Sequence, residues 1–204
     1  MTALIFATLL SLPMYPLNPT GEDTVSFMNV HVTAGLNGPG AVVSTGPEFT
    51  IKYEMTLYHP LILRAAFDYR YGSISSSVYP DGDVHRGLLS AEALYYRGAN
   101  GLTGYVGVGL VWAMNNFSID QSEMDSLFTN YGYTSVKMQD VPGYRLTAGL
   151  RIHKTYSIEI GLTETRPRYV YTTRYSPTSY SVLKKKFRSN DFRVSLGYLF
   201  TLKL

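Results

Sequence analysis

The last thirteen residues of the chain, Phe192-Arg-Val-Ser-Leu-Gly-Tyr-Leu-Phe-Thr-Leu-Lys-Leu204, alternate in character without a break. Phe192, Val194, Leu196, Tyr198, Phe200, Leu202 and Leu204 fall on one side; Arg193, Ser195, Gly197, Leu199, Thr201 and Lys203 fall on the other. A period of two is the signature of a β-strand, whose successive side chains point to opposite faces. At ~3.3 Å per residue this strand is about 40 Å long, well beyond the usual five or six residues.

The same alternation recurs seven more times. Met28, Val30, Val32, Ala34 and Leu36 oppose Asn29, His31, Thr33 and Gly35. Phe49, Ile51, Tyr53, Met55 and Leu57 oppose Glu48, Thr50, Lys52, Glu54 and Thr56, and Leu61 to Tyr71 opposes Arg64, Ala66, Asp68 and Arg70. Leu89 to Tyr95 opposes Ser90, Glu92, Leu94 and Tyr96; Val106 to Trp112 opposes Tyr105, Gly107, Gly109 and Val111. Tyr144 to Ile152 opposes Arg145, Thr147, Gly149 and Arg151, and Tyr156 to Leu162 opposes Ser157, Glu159, Gly161 and Thr163.

Connection lengths turn these eight strands into a topology. Tyr58-His59-Pro60, Gly98-Ala99-Asn100-Gly101 and His153-Lys154-Thr155 are tight turns, whereas 37–47, 73–85, 115–142 and 166–190 are long. All short turns therefore lie at one end of an antiparallel up-and-down meander, with both termini, and all long loops lie at the other.

Composition bears on which face is outside. Only 16% of the 204 residues are charged, against about a quarter in soluble domains, and there are 18 Tyr. A soluble lipocalin-like barrel would turn its polar faces to water, yet these are rich in Gly, Ser and Thr with scattered charges. Tyr58, Tyr95, Tyr156, Tyr198 and Phe200 lie toward the short-turn end, and Tyr69, Tyr71, Trp112 and Tyr144 toward the loop end. Two such girdles, with short turns and long loops segregated, fit an apolar band facing lipid. No stretch approaches the roughly 20 apolar residues of a spanning helix. The longest run, Ala3–Leu12 closed by Pro13, has the length of an export signal's apolar region but no basic leader, the first Lys or Arg being Lys52. Residues 1–20 are read as an export-signal remnant or N-terminal segment, and 25–204 as the barrel domain.

The C-terminal pattern polar-x-Gly-x-x-hydrophobic-x-hydrophobic appears as Ser195, Gly197, Phe200 and Leu202. With it, residues 25–204 resemble the small eight-stranded outer-membrane β-barrels, such as the OmpA membrane domain and OmpX. The resemblance implies a transmembrane barrel in the bacterial outer membrane, with that strand read by the barrel-insertion machinery and membrane lipids and lipopolysaccharide as neighbours. The chain ends on Leu204 rather than on the family's usual aromatic. A barrel without a following peptidoglycan-binding domain, and a monomer, are expected.

In that arrangement the polar faces fill the lumen. Lys52, Arg64, Arg70, Arg145, Arg151 and Arg193 meet Glu48, Glu54, Asp68, Glu92 and Glu159, six positive charges against five negative. An eight-stranded barrel is only wide enough for side chains, and buried charges persist when paired, so a closed polar core is expected rather than a pore. No phosphate loop, Gly-x-Ser-x-Gly or His-Glu-x-x-His motif occurs, the four His lack ligand spacing, and there is no Cys, so neither cofactor nor metal site is expected. One constellation keeps an enzyme in view: Ser75–Ser77 with Asp81, Asp83 and His85 in the second long loop. Some family members acylate or deacylate lipid A with such groups, while Pro80-Asp81-Gly82-Asp83 also reads simply as a turn.

The other two long loops differ in charge. Ser118 is placed to cap a short helix carrying Asp120, Glu123 and Asp125; with Asp140 and Lys137 that loop sums to −3. Its spacing does not follow an EF-hand, and its carboxylates read as a solvated helix end. The fourth loop holds Arg166, Arg168, Arg174, Lys184, Lys185, Lys186 and Arg188 with no acid, interleaved with four Tyr, and turns at Ser176-Pro-Thr-Ser179. This basic hairpin is expected to protrude and to meet polyanions or a host-surface ligand. A non-enzymatic envelope-structural or surface-interaction protein is the first reading, a lipid A-modifying enzyme the second and a lipocalin-like carrier the third.

Overall fold

A computed structural model describes residues 27–37, 46–58, 60–74, 80–99, 101–153, 155–176, 179–186 and 189–203. Eleven strands follow in order: β1 (Phe27–Asn37), β2 (Gly46–Tyr58), β3 (Leu61–Ile74), β4 (Gly82–Ala99), β5 (Leu102–Ile119), β6 (Tyr133–Met138), β7 (Val141–Ile152), β8 (Tyr156–Thr165), β9 (Arg168–Arg174), β10 (Tyr180–Lys186) and β11 (Ser189–Lys203). One helix, α1 (Gln121–Tyr131), lies between β5 and β6. Eight of the strands close into an antiparallel barrel in the order β1-β11-β8-β7-β5-β4-β3-β2. The seam is the pairing of the first strand with the last, running from Phe27↔Lys203 to Asn37↔Arg193. Closure removes the free edges that an open sheet of long strands would expose.

The barrel is inside out relative to a soluble protein. β3 alternates exposed and buried from Leu63 to Ile74, with Leu63, Phe67, Tyr69 and Tyr71 outward and Arg64, Asp68 and Arg70 buried. On β5, Leu110 keeps 74% of its surface exposed while Tyr105 keeps 1%. An outward apolar surface over a charged interior leaves no lipocalin-like apolar ligand cavity among the described residues, which corrects the third reading.

Three expectations about the loops also change. The second long loop contracts, because Gly82 and Asp83, expected in a turn, already pair with Ile119 and Ser118 as β4 meets β5. That hairpin, of two 18-residue strands, runs roughly 60 Å along its length, against an apolar band about 25 Å tall. The helix is capped at Asp120 rather than Ser118, which belongs to β5, and Asp120 makes no side-chain cap bond. The helix stops at Gly132, whose φ of 69° is the left-handed conformation and whose N–H reaches the carbonyls of Leu127 and Phe128.

The fourth loop does not protrude as an isolated hairpin. β9 pairs with β10 on one side and β6 on the other, making a separate three-stranded sheet in the order β10-β9-β6. Its inner face packs Val136, Met138, Tyr169 and Tyr171 against Ile74 and Val84 from the barrel strands, with Phe117, Ile119, Met124, Leu127 and Tyr133 around them. Each fully buried apolar side chain of this size stabilises by about 1.5–3 kcal/mol, so the loops form a small cored cap anchored on the extensions of β3, β4 and β5.

Candidate functional site

The lumen is a single network of charges. Glu48, Lys52, Glu54, Arg64, Asp68, Arg70, Glu92, Arg145, Arg151, Glu159 and Arg193, the eleven residues singled out from alternation, are all buried within it. Glu159 on β8 is its hub. It accepts from Lys52 Nζ at 2.9 Å, Arg64 Nη1 at 2.6 Å and Tyr105 Oη at 2.8 Å, and is also bonded by Arg193. Arg193 reaches on to Glu48 at 3.1 Å and Asp68 at 3.0 Å. Asp68 in turn pairs with Arg145, which bonds Ser90 at 3.0 Å and Glu92 at 3.3 Å.

Glu54 gathers a second group, accepting from Arg64 Nη2 at 2.7 Å, Arg151 Nη2 at 2.7 Å and Tyr96 Oη at 2.9 Å. Two rings line this part of the lumen. Arg64 lies over Tyr105 at 5.1 Å and Arg151 over Tyr96 at 4.9 Å, while the rings themselves stack at 4.9 Å. Cation–π contact and hydroxyl donation from the same tyrosines satisfy groups that a dry interior would otherwise strand. Close packing here depends on absent side chains. A Cβ at Gly149 would collide with the Tyr105 ring, and one at Gly161 with the Arg193 guanidinium.

Several members of the network lay beyond the sequence reading. Arg86 and Asp191 pair at 2.6 Å, and Asp191 also meets Arg70 at 3.3 Å; Arg70 is held by Glu48 at 2.7 Å. Both missed residues continue the lumen-facing parity of Ser90 and Arg193 past the point where the apolar alternation stops. Tyr96 and Tyr105 were placed on the lumen face but not among the ionic groups. Glu164 is buried at the end of β8, bonded by Tyr144 and paired with the exposed Arg166 at 3.1 Å.

On the outer wall, β3 and β4 bring Tyr69, Tyr71, Asp83 and His85 together. The Tyr69 hydroxyl and His85 Nδ1 are 2.7 Å apart, and the Tyr71 ring lies 5.0 Å from the His85 ring. Asp83 accepts a hydrogen bond from Tyr71, so Asp83 and His85 are each engaged by a tyrosine. A cavity of about 520 Å³ opens beside them, with Asn115, Asn116 and Asp140 in its lining. Asp81 precedes β4 and Ser75–Ser77 lie outside the described residues. No group of His, Asp and Glu suited to a metal occurs among the described residues.

The basic hairpin residues divide by position. Arg166 pairs with Glu164; Arg168 and Arg174 sit at the two ends of β9; Lys184, Lys185 and Lys186 are exposed on β10; Arg188 lies outside the described residues. Of the assembly pattern, Ser195 is buried on the lumen side and Gly197 half-buried. Phe200 and Leu202 pair through their backbones with Val30 and Met28, placing the pattern at the barrel seam, and their side chains lie outside the described residues.

No protein-family model and no curated protein sequence matches the chain. Solved structures do. The outer-membrane protein OprG from Pseudomonas aeruginosa superposes with a TM-score of 0.63 at 12% identity, covering 88% of this chain and 98% of its own. The outer-membrane protein AlkL, determined in lipid bilayers, gives 0.53 at 15% identity, covering 94% and 97%. Such likeness establishes a shared fold.

Proposed function

From the fold of the small eight-stranded outer-membrane β-barrels, which this chain has, we propose a non-enzymatic envelope protein that works through its loop-built cap. The observation that carries this reading is a lumen filled by paired charges beneath a cap with its own apolar core. A filled lumen leaves no route through the wall, and side chains ordered into a cored cap present a fixed surface outside it. The chemistry on offer is recognition by that surface, together with the mechanical role of a stable barrel in the envelope.

Fractionation followed by protease shaving of whole cells tests the reading. The protein should sediment with outer membrane, migrate differently on gels before and after heating, and be cut from outside only within the cap or the loops at that end. Recovery in a soluble fraction, or cleavage confined to the short turns, would overturn it.

The second reading is a lipid A-modifying enzyme, favoured by the His85 cluster on the outward wall beside a cavity lined by both apolar and polar side chains. It requires a lipid A mass change on expression that disappears with His85→Ala. An unaltered lipid A profile with the wild-type protein sinks it.

A further inference from the structure

The sheet register sorts the basic residues of the cap onto two faces. Residues directly opposite one another in an antiparallel ladder share a face, and successive residues alternate. Tyr169 and Tyr171 of β9 point into the cap core. Their neighbours Arg168 and Val170 therefore belong to the outer face. Val170 is flanked by Lys137 of β6 on one side and Lys184 of β10 on the other; Arg168 faces Lys186 directly. Lys185, opposite Tyr169, falls on the other face.

Four cations from three strands thus share two adjacent rows. With strands about 4.8 Å apart, Lys137 and Lys184 stand roughly 10 Å from one another at the backbone, and the Arg168–Lys186 row lies roughly 7 Å further along. None of β6, β9 and β10 contains an Asp or Glu. Among the described residues, no ion pair engages Lys137, Arg168, Lys184 or Lys186. Like charges directly opposed across strands destabilise a sheet, so the fold gains nothing from this arrangement by itself. Lys137 is decisive, because it comes from the loop whose net charge is acidic and the sheet alone brings it to the basic hairpin.

We propose that this face is a binding site for a saccharide bearing closely spaced phosphate or sulfate groups. The proposal rests on the surface-recognition reading above and names its ligand chemistry. Clustered ammonium and guanidinium groups attract such anions, and Arg168 can hold one through two parallel N–H donors. Val170 between the two lysines supplies an apolar floor against which a sugar ring can lie.

The test uses the full chain reconstituted in phosphatidylcholine vesicles, with two probes: a short dextran sulfate in solution, and lipopolysaccharide added to the same vesicles. Each of Lys137→Gln, Lys184→Gln and Lys186→Gln should weaken dextran sulfate binding roughly fivefold, while Lys185→Gln leaves it within about twofold. If the phosphates of neighbouring lipopolysaccharide are the natural source, that lipid should compete with dextran sulfate in the wild type and lose its effect in the variants. If the source is an external glycan, dextran sulfate should bind equally well with and without it. Equal losses for Lys185→Gln and Lys184→Gln, or no loss for Lys137→Gln, would overturn the site in favour of the hairpin's overall charge. Absence of binding to either probe overturns it as well. Heat-modifiable mobility, followed in every sample, reports separately on the barrel: its loss in the wild type would be a failure of the fold reading, not of the site.

Discussion

Glu159 answers three cations and a tyrosine hydroxyl at once, so its removal leaves Lys52, Arg64 and Arg193 without their shared counter-charge. Breaking a buried ion pair from one side costs about 3–5 kcal/mol because the remaining charge is stranded in a dry interior. Glu159→Ala should therefore lower the unfolding free energy of the barrel, measured by urea titration in lipid vesicles, by that order, whereas removing Arg166, which stays exposed beside Glu164, should cost less than about 1 kcal/mol. The glycines make a second, independent test. Gly149→Ala should destabilise by about 1–3 kcal/mol through collision with the Tyr105 ring, and Tyr105→Leu in the same chain should recover part of the loss, at the cost of one Glu159 hydrogen bond. At this scale the sequence was informative wherever alternation was unbroken: every lumen charge from Glu48 to Arg193 falls where parity puts it. Arg86 escaped because its strand runs on past the lipid band, where His85 and Gly87 rather than apolar side chains flank it, and Asp191 because it lies one residue before the alternation that begins at Phe192.

The elements divide the same way. Barrel strands announce themselves because lipid on one side and a packed lumen on the other impose a strict period of two. The cap elements keep that period only briefly: β6 and β9 alternate over a few residues where they cover the cap core, and β10 is exposed along its whole length. The union of β6 with β9 joins residues more than thirty apart, a pairing that local propensity does not encode. The helix cap was misplaced by two residues because Ser118, a good cap by type, is claimed by the ladder opposite Asp83. The Ser176–Ser179 turn lies where turn chemistry put it, with Ser179 N–H bonded to the Ser176 hydroxyl at 3.0 Å. If β9 is the cap's central strand, Tyr169→Asp should open the cap alone, because it buries an unpaired charge among Val136, Met138 and Ile74. Protease should then cut residues 166–190 much faster, while heat-modifiable migration of the barrel persists. Simultaneous loss of both would show that cap and barrel fold as one unit.

For the whole molecule, low overall charge and abundant Tyr resolve into an outward apolar wall, interfacial rings and lumen tyrosines that donate to carboxylates. The net charge of +3 conceals strong segregation, with nearly balanced charge inside and a basic face on the cap. The proposed role rests on a barrel that is solid rather than hollow. Planar-bilayer recording on the purified, refolded protein tests that claim most directly. A lumen crossed by the Glu159 and Glu54 networks predicts no stable large conductance at any moderate voltage, and a reproducible open state of fixed size would contradict it.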